Sequence, residues 1–234
     1  MKRLEKLYEG KAKIIYRTDD PALYIQYFKD DASAFDGKKK GTIESKGIFN
    51  NKISSRIFEF LREKGVESHY VRRLGDREML VRRVEIIPVE IVVRNMVAGS
   101  LARRMGLEEG APLPETLVEY YYKSDELGDP MLNAEHIRIF GLAAPEELQA
   151  MVATARTVNE HLKRFFDERG IILVDYKLEF GRCDGKVLLA DEITPDGCRL
   201  WDKKTLKKLD KDRFRRDLGD IEDAYREVLD KVLG

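Results

Sequence analysis

Apolar and polar positions alternate in short runs over the first third of the chain, a pattern typical of strands separated by turns. It predicts a hairpin over residues 7–16 and a strand over residues 23–28. Residues 36–41 are charged, flanked by glycine and aperiodic, which predicts a mobile loop. Residues 46–64 instead carry apolar side chains at helical spacing, so we expect one helix among these strands.

A nearly continuous β-branched run over residues 84–93 indicates a buried strand. A short helix is predicted over residues 100–105, and residues 107–129 are rich in turn residues and tyrosines. Residues 145–170 predict a long amphipathic helix with proline at its first position. The rest of the chain is predicted as two strands and a helical tail: residues 171–180, 186–193 and 205–233.

These elements predict a mixed α/β fold with two lobes and a central cleft. The expected boundaries are 1–84 for a small β-rich lobe and 85–234 for a larger α/β lobe with C-terminal helices. A chain of 234 residues can bury a sizeable core in this arrangement.

Composition and charge narrow the classes of function. Hydrophobic residues make up 43% of the chain, enough for a globular core, and charged residues make up 37%. Basic and acidic residues both number 43, so the net charge is zero, which disfavours a simple basic nucleic-acid-binding protein. The N-terminus has no apolar leader, no run suits a membrane span, and the two cysteines and three histidines are scattered. We therefore expect a cytoplasmic, reduced protein without a structural zinc site.

The most informative segment is residues 173–181, LVDYKLEFG. Alternate residues of a strand share a face, so Asp175, Lys177 and Glu179 are expected together. The opposite, core-facing side is predicted to carry Val174, Tyr176, Leu178 and Phe180. An ordinary amphipathic strand with a solvated polar face would show the same alternation.

The following strand favours a functional interpretation of that polar face. Residues 187–190 are apolar on both faces and lead directly into Asp191. Carboxylates beside a cleft are how Mg²⁺ is held against phosphates, so Glu179 and Asp191 are candidate metal ligands. An antiparallel hairpin with a three-residue loop, Asp184-Gly185-Lys186, would set them directly opposite each other, whereas a two-residue loop, Asp184-Gly185, would not.

Two further segments could bind anions. In residues 86–100 a buried strand delivers Arg94, and a small-residue turn then starts a helix at Ser100. A capping serine and a surface arginine would give the same pattern. Near the N-terminus, Tyr8-Glu9-Gly10-Lys11-Ala12-Lys13 could fold over nucleotide phosphates or form a solvated hairpin, since it matches no established phosphate-loop motif.

Three other features have simpler interpretations. Arg199 and Trp201 could form a stacked packing pair. The tract Tyr120-Tyr121-Tyr122-Lys123 is interpreted as packing plus a cleft edge. The charged run over residues 203–216 is interpreted as a solvated helix face.

Several of these segments together resemble the SAICAR synthetase (phosphoribosylaminoimidazole-succinocarboxamide synthase) family. IIPVEIVVRNMVAGS and LVDYKLEFG are similar to its two signature segments. YEGKAK, DEITPDGCRLWD and DKDRFRRDLG resemble it as well, so the resemblance covers essentially the whole chain in order.

The resemblance implies a two-lobed architecture related to ATP-grasp enzymes, with ATP bound between the lobes. It implies a ligase of purine biosynthesis that joins L-aspartate to 5-aminoimidazole-4-carboxyribonucleotide (CAIR) and releases ADP, phosphate and SAICAR. ATP and Mg²⁺ are the implied cofactors, and a cytoplasmic homodimer without nucleic-acid or membrane partners is implied. Amide formation at a carboxylate is expected to pass through an acyl phosphate.

The resemblance also suggests residue roles, position by position. Gly10, Lys11, Ala12 and Lys13 resemble the ATP hairpin, and Glu179 and Asp191 resemble the Mg²⁺ ligands. Arg94, Ser100 and Arg199 resemble the ribonucleotide phosphate and anion contacts. Lys177, with Asp175 beside it, resembles the residue near the reacting groups, and Asp36 a carboxylate that reaches the substrate from its loop. Cys198 stands where serine is common in the family.

Two other functions stay open from the residues alone. A small-molecule kinase of related fold would need a base for a hydroxyl acceptor, and no HRD-type loop is present. Aspartate-dependent ADP release separates it from a ligase. A non-enzymatic nucleotide- or RNA-binding module would show steeply salt-dependent RNA binding, which the zero net charge disfavours.

Overall fold

The first sheet is five-stranded and entirely antiparallel, in the order β1-β2-β3-β7-β6. The computed structural model describes residues 1–34 and 38–234. The strands are β1 Arg3–Glu9, β2 Lys13–Thr18, β3 Leu23–Phe28, β6 Tyr70–Arg73 and β7 Glu78–Arg82. The predicted hairpin and the predicted strand over residues 23–28 are therefore confirmed.

A separate two-stranded sheet and the first helix lie between β3 and β6 in the chain. β4 (Asp31–Ala34) pairs with β5 (Lys39–Thr42), so the loop prediction is wrong for residues 39–41. Asp36, in the predicted loop, lies outside the described residues. The helix α1 (Lys46–Glu63) agrees with prediction, and Gly65 follows it at φ 81°.

The second sheet has seven strands, of which five follow the order β11-β10-β9-β12-β13 while β8 and β14 also pair with β12. The turn-rich interpretation of residues 107–129 is wrong over most of its length, because β10 is an 11-residue strand. Its tyrosines and β-branched residues favour a pleated, half-buried surface. The strands are β8 Glu85–Ile86, β9 Val89–Met96, β10 Pro112–Tyr122, β11 Met131–Leu132, β12 Ile171–Cys183, β13 Lys186–Ala190 and β14 Cys198–Asp202.

The longest helix covers the apolar side of this second sheet. The predicted long helix is α4 (Pro145–Asp167), which buries Met151, Leu162 and Phe166 in the main core. The others are α2 Gly99–Met105, α3 Ala134–Ile139, α5 Asp212–Arg215 and α6 Ile221–Leu233, with a short 3₁₀ helix at Asp125–Leu127. Within the described ranges, no helix combines the length and apolarity needed to cross a bilayer.

The tail is less helical than predicted. No helix covers residues 203–211, and Asp210 is fully buried there. Its carboxylate accepts hydrogen bonds from the backbone N–H groups of Leu200 (2.9 Å) and Asp212 (2.7 Å). The interpretation of residues 203–216 as a solvated helix face is therefore wrong, because acidic side chains inside the run satisfy buried backbone donors.

A β-bulge in β12 changes which face its residues occupy. The ladder with β14 shifts register between Leu173 and Asp175. As a result Val174 packs in a small cluster with Ala98 and Trp201, while Tyr176 packs in the main core. The prediction that Val174 shares the face of Tyr176, Leu178 and Phe180 is wrong, since the extra residue of a bulge breaks the two-residue period.

The antiparallel β12–β13 hairpin is confirmed, and it has the two-residue loop and not the three-residue loop that would set Glu179 opposite Asp191. Cys183 pairs with Lys186, which leaves a two-residue turn of Asp184 (φ 50°) and Gly185 (φ 75°). Positive φ at both positions is the signature of a type I′ turn. Glu179 consequently lies opposite Ala190 and not opposite Asp191.

Candidate functional site

A cavity of about 440 Å³ is lined by the β1–β2 hairpin and by one face of the second sheet. The described residues that line it include eight basic and eight acidic side chains. The sequence-predicted residues in its wall are Gly10, Lys11, Ala12, Lys13, Arg94, Ser100, Asp175, Lys177, Glu179, Asp191 and Arg199. The structure therefore brings together every predicted site residue that it describes.

Strand pairing explains why these side chains converge. On β12, Asp175 lies opposite Arg94 of β9 and opposite Arg199 of β14. Lys177 lies opposite Val92, two residues along β9 from Glu90 and Arg94. Because directly opposite residues share a face, the charged positions of neighbouring strands form one polar surface. The other face carries the apolar side chains that meet α4.

Arg94 is the centre of a buried hydrogen-bond network, and only 3% of this residue is exposed. Its Nη1 donates to Asp175 Oδ2 (2.7 Å) and its Nε donates to Glu119 Oε2 (2.7 Å). Its Nη2 donates to Ser100 Oγ (2.9 Å). The alternative of a surface arginine is therefore wrong, and Arg94 and Ser100 belong to one cluster.

Arg199 completes the cluster from the opposite strand. Its Nη1 donates to Asp175 Oδ2 (2.9 Å), and its Nε donates to Asp212 Oδ2 (2.9 Å). Gly99 lies against this guanidinium at φ 54°, so that a Cβ at this position would overlap it. Trp201 packs in the small apolar cluster. Lys208 Nζ lies 5.3 Å from its ring centroid, so the cation over the indole is Lys208 and not Arg199.

Lys177 forms a second cluster with acidic side chains. Its Nζ lies 2.6 Å from Glu90 Oε1 and 3.4 Å from Glu179 Oε1. Burial alone would lower the pKa of Lys177, but the two carboxylates hold it well above its ordinary value. Lys177 is thus protonated, and its charge partners are Glu90 and Glu179.

Glu179 is ionised for the same electrostatic reason. Burial would raise the pKa of its carboxyl group, but Lys13, Lys177 and Lys123 outweigh that effect and lower the pKa to about 2. Lys123 Nζ donates to Glu179 Oε1 at 2.8 Å. Lys123 was not among the predicted site residues, although it ends the tyrosine tract that was predicted to form a cleft edge.

Asp191 reaches the cavity through an unusual backbone conformation. It follows β13 at φ 63°, in the left-handed region. Lys13 Nζ contacts Asp191 Oδ1 and lies 3.0 Å from Glu192 Oε2. His69 Nε2 lies 2.9 Å from the backbone oxygen of Asp191, and burial lowers the pKa of His69 to about 3. The neutral imidazole can therefore donate a hydrogen bond that holds this turn.

The donor set at this end of the cavity consists of carboxylates. Glu179 and Asp191 line the same wall, and both offer the hard oxygen ligands that Mg²⁺ prefers. Among residues 1–34 and 38–234, no group of three His, Cys, Asp or Glu side chains could hold a metal ion. A cation bound by this pair would need further oxygen ligands from substrate or water.

A second depression of about 370 Å³ adjoins this end and shares Lys13, Glu179 and Asp191 with the cavity. Its wall is mainly apolar and includes residues from the first sheet and from the segment before β9. These side chains are Leu7, Ile15, Tyr24, Val81, Val84 and Ile86. Its apolar lining suits an aromatic ring next to the charged hairpin.

Several lining residues were not among the predicted site residues, including Glu90, Lys123, Glu192, Lys211 and Arg215. Glu90 had a readable signal, because it is separated from Arg94 by an even number of residues on one strand. The tyrosine tract behaves as predicted: Tyr120 packs against the core and Tyr121 lines the cavity. Lys123 continues that alternation.

Comparison with known proteins identifies the family to which this fold and sequence correspond. The sequence profile of the SAICAR synthetase family matches residues 6–232. A phosphoribosylaminoimidazole-succinocarboxamide synthase of Clostridium acetobutylicum is 54% identical and aligned over 100% of both chains. The crystal structure of that synthase from Ehrlichia chaffeensis gives a TM-score of 0.96 at 45% identity, covering 98% of each chain. A SAICAR synthetase in complex with ADP gives a TM-score of 0.94 at 47% identity, covering 97% of each chain.

Proposed function

The chain belongs to the SAICAR synthetase family, and from that premise we propose how its cleft performs the reaction. The enzyme is an ATP-dependent ligase of purine biosynthesis that joins L-aspartate to the carboxylate of CAIR. The observation that carries the residue assignment is the single cavity in which the hairpin residues meet the polar strand face.

ATP is assigned to the end of the cavity beside the hairpin. The apolar depression takes the adenine ring, and residues 10–13 cover the phosphates with Lys11 and Lys13. The ADP complex of a relative at 47% identity supports nucleotide binding in this fold. Lys13 now pairs with Asp191 and Glu192, so it exchanges those partners in part when phosphates enter.

Mg²⁺ is assigned to Glu179 and Asp191. Both carboxylates face the cavity beside the hairpin, and the pKa of Glu179, lowered to about 2, keeps it ionised at neutral pH. The ion would offset negative charge on the phosphates during phosphoryl transfer.

CAIR is assigned to the arginine-rich end. Ser100 and Arg199 bind its phosphate or carboxylate, while Arg94, almost fully buried, orients Ser100 and Asp175. Lys177 lies between the two ends and stays protonated, so it can neutralise charge where the carboxylate meets the γ-phosphate.

The reaction then proceeds in two steps. A carboxylate oxygen of CAIR attacks the γ-phosphorus, and the bond to the ADP oxygen breaks, which leaves an acyl phosphate and ADP. The amine of L-aspartate attacks the acyl carbon, the bond to the phosphate oxygen breaks, and the amine proton leaves to a carboxylate or solvent. Asp175 and Asp36 are the candidate carboxylates. No Ser–His or Cys–His pair occurs among the described residues of the wall, so activation by ATP is the simpler route.

Isotope transfer tests this route. With ¹⁸O in the CAIR carboxylate, one label is expected in the released phosphate. ADP release that requires both CAIR and L-aspartate tests the overall reaction and separates it from a kinase. Phosphate free of label would exclude the acyl phosphate while leaving the ligase activity intact.

Three properties of the whole chain belong to the same proposal. Residues 1–84 are proposed as the small lobe and 85–234 as the larger one, because the first sheet ends at Arg82 and the second begins at Glu85. A cytoplasmic location is consistent with an ATP-consuming ligase whose two cysteines are free thiols. A homodimer is expected from the family resemblance, and light scattering of the purified chain would test it.

A further inference from the structure

Lys211 differs from every other basic side chain in the cavity wall. Seven of the eight have a carboxylate oxygen within 3.0 Å among the residues the structure describes. Those seven are Lys11, Lys13, Arg94, Lys123, Lys177, Arg199 and Arg215. Lys211 forms no such ion pair within the described ranges.

The surroundings of Lys211 make its charge available to a ligand. Burial and the positive charges of Arg215 and Lys46 lower the pKa of Lys211, against the opposing effect of Asp196 and Glu192. Asp196 is already bound by other groups. It accepts hydrogen bonds from Lys46 Nζ (2.6 Å), Asn50 Nδ2 (2.9 Å) and Tyr225 Oη (2.7 Å). An anionic ligand would therefore bind a cation that is already partly desolvated.

Backbone hydrogen bonds tie Lys211 to the same chain segment as Lys177. The N–H of Lys211 donates to the oxygen of Pro195 (3.1 Å). In the same turn, the oxygen of Gly197 accepts from the N–H of Lys177 (3.1 Å). Residues 195–197, which follow Asp191 in the chain, thus bind the backbone N–H groups of both Lys177 and Lys211.

We propose that Lys211 binds a carboxylate of L-aspartate. This assignment rests on the function proposed above, in which the hairpin lysines serve ATP and the Ser100–Arg199 end serves CAIR. L-Aspartate brings two carboxylates and needs a cation that neither of the other substrates uses. Lys211 meets that need and lines the same cavity as Lys177.

Steady-state kinetics of Lys211→Met test the proposal. The KM for L-aspartate should rise about tenfold or more, because one charge-assisted hydrogen bond is lost. The KM values for ATP and CAIR should stay within about twofold. Lys211→Arg should recover part of the affinity, and Lys207→Met, an exposed change in the same segment, should behave as the unaltered enzyme.

Substrate analogues provide a readout that a structural defect would not move. L-Asparagine and L-aspartic acid α-amide each lack one carboxylate charge. One of these amides lacks the carboxylate that Lys211 binds. In Lys211→Met, the preference for L-aspartate over that amide should fall by the same factor as the affinity for L-aspartate. An unchanged KM for L-aspartate, or a rise for CAIR or ATP instead, would overturn the assignment. Absence of aspartate-dependent ADP release in the unaltered enzyme would overturn the proposed function itself.

Discussion

Glu179 and Asp191 line the same cavity although they are not partners across the β12–β13 ladder. Glu179 lies opposite Ala190, so a regular continuation of β13 would direct Asp191 to the other face. The left-handed backbone at Asp191, φ 63°, ends the strand and allows its carboxylate to reach the wall that Glu179 occupies. The two carboxylates therefore meet through a turn and not through strand register.

Removing either carboxylate charge should impair turnover more than folding. For Glu179→Gln and Asp191→Asn we expect kcat to fall about 100-fold or more, because charge needed during phosphoryl transfer is lost. Circular dichroism should remain that of the folded protein. The Mg²⁺ concentration needed for half-maximal activity should be higher in both variants than in the unaltered enzyme. Small and equal effects of both variants would contradict the metal assignment.

Arg94 and Arg199 should respond differently to truncation. Arg199→Ala should weaken CAIR binding by about 1.5–3 kcal/mol, the cost of a lost charged hydrogen bond. Arg94→Ala should in addition lower the free energy of unfolding by about 1.5–3 kcal/mol, because Glu119 and Asp175, both buried, would each lose one charged hydrogen bond. Binding isotherms and urea denaturation measure the two effects. Equal stability of both variants would contradict the central position of Arg94.

Gly99→Ala should disturb the site through its neighbour. The new Cβ would overlap the Arg199 guanidinium, and φ 54° is unfavourable for alanine. We expect a loss of about 1 kcal/mol or more in the free energy of unfolding together with a higher KM for CAIR. Gly75→Ala is the matched control, because a Cβ there meets no atom within 4 Å.

His69 should make stability depend on pH in weakly acidic solution. Its pKa is about 3 in the folded protein against an ordinary value of 6.5, so between these values the unfolded chain binds the additional proton. The contribution of His69 is complete above pH 6.5 and is lost as the pH falls toward 3, by up to about 1.4 kcal/mol per pH unit. Chemical denaturation at several pH values should show this slope. His69→Gln should reduce it, whereas the exposed change His136→Gln should not.

The polar face of β12 could be predicted because strand alternation is local. Asp175, Lys177 and Glu179 share a face whatever the strand pairs with, as long as the two-residue period holds. Val174 shows where that reasoning ends, since the bulge that displaces it depends on pairing with β14. Register with a distant strand cannot be read from one segment alone.

The dipeptide Asp184-Gly185 is a local sequence signal for the turn between β12 and β13. Asp184-Gly185 is typical of a two-residue type I′ turn, and that turn is what forms. Only a three-residue loop would place Glu179 opposite Asp191 by strand register. The left-handed conformation of Asp191 achieves the convergence by a route that strand geometry does not predict.

Partners from other elements were the hardest part of the site to predict. Glu90 and Lys123 complete the surroundings of Lys177 and Glu179 from two neighbouring strands. Their importance depends on distances that exist only after the sheet has assembled. The buried acidic residues Asp210 and Asp212 were missed for the same reason, because their partners are backbone and side-chain donors brought together by the fold.

The balance of charges in the cavity wall has a consequence for how substrates arrive. Eight basic and eight acidic side chains are interleaved there within the described chain, mostly as close pairs. Fields of such pairs largely cancel beyond a Debye length of about 8–10 Å at physiological salt. Anionic substrates therefore approach with little long-range attraction and gain their binding energy only on contact, by exchanging partners with residues such as Lys13. Association rates should accordingly change little with ionic strength, unlike those of enzymes whose clefts carry a single sign of charge.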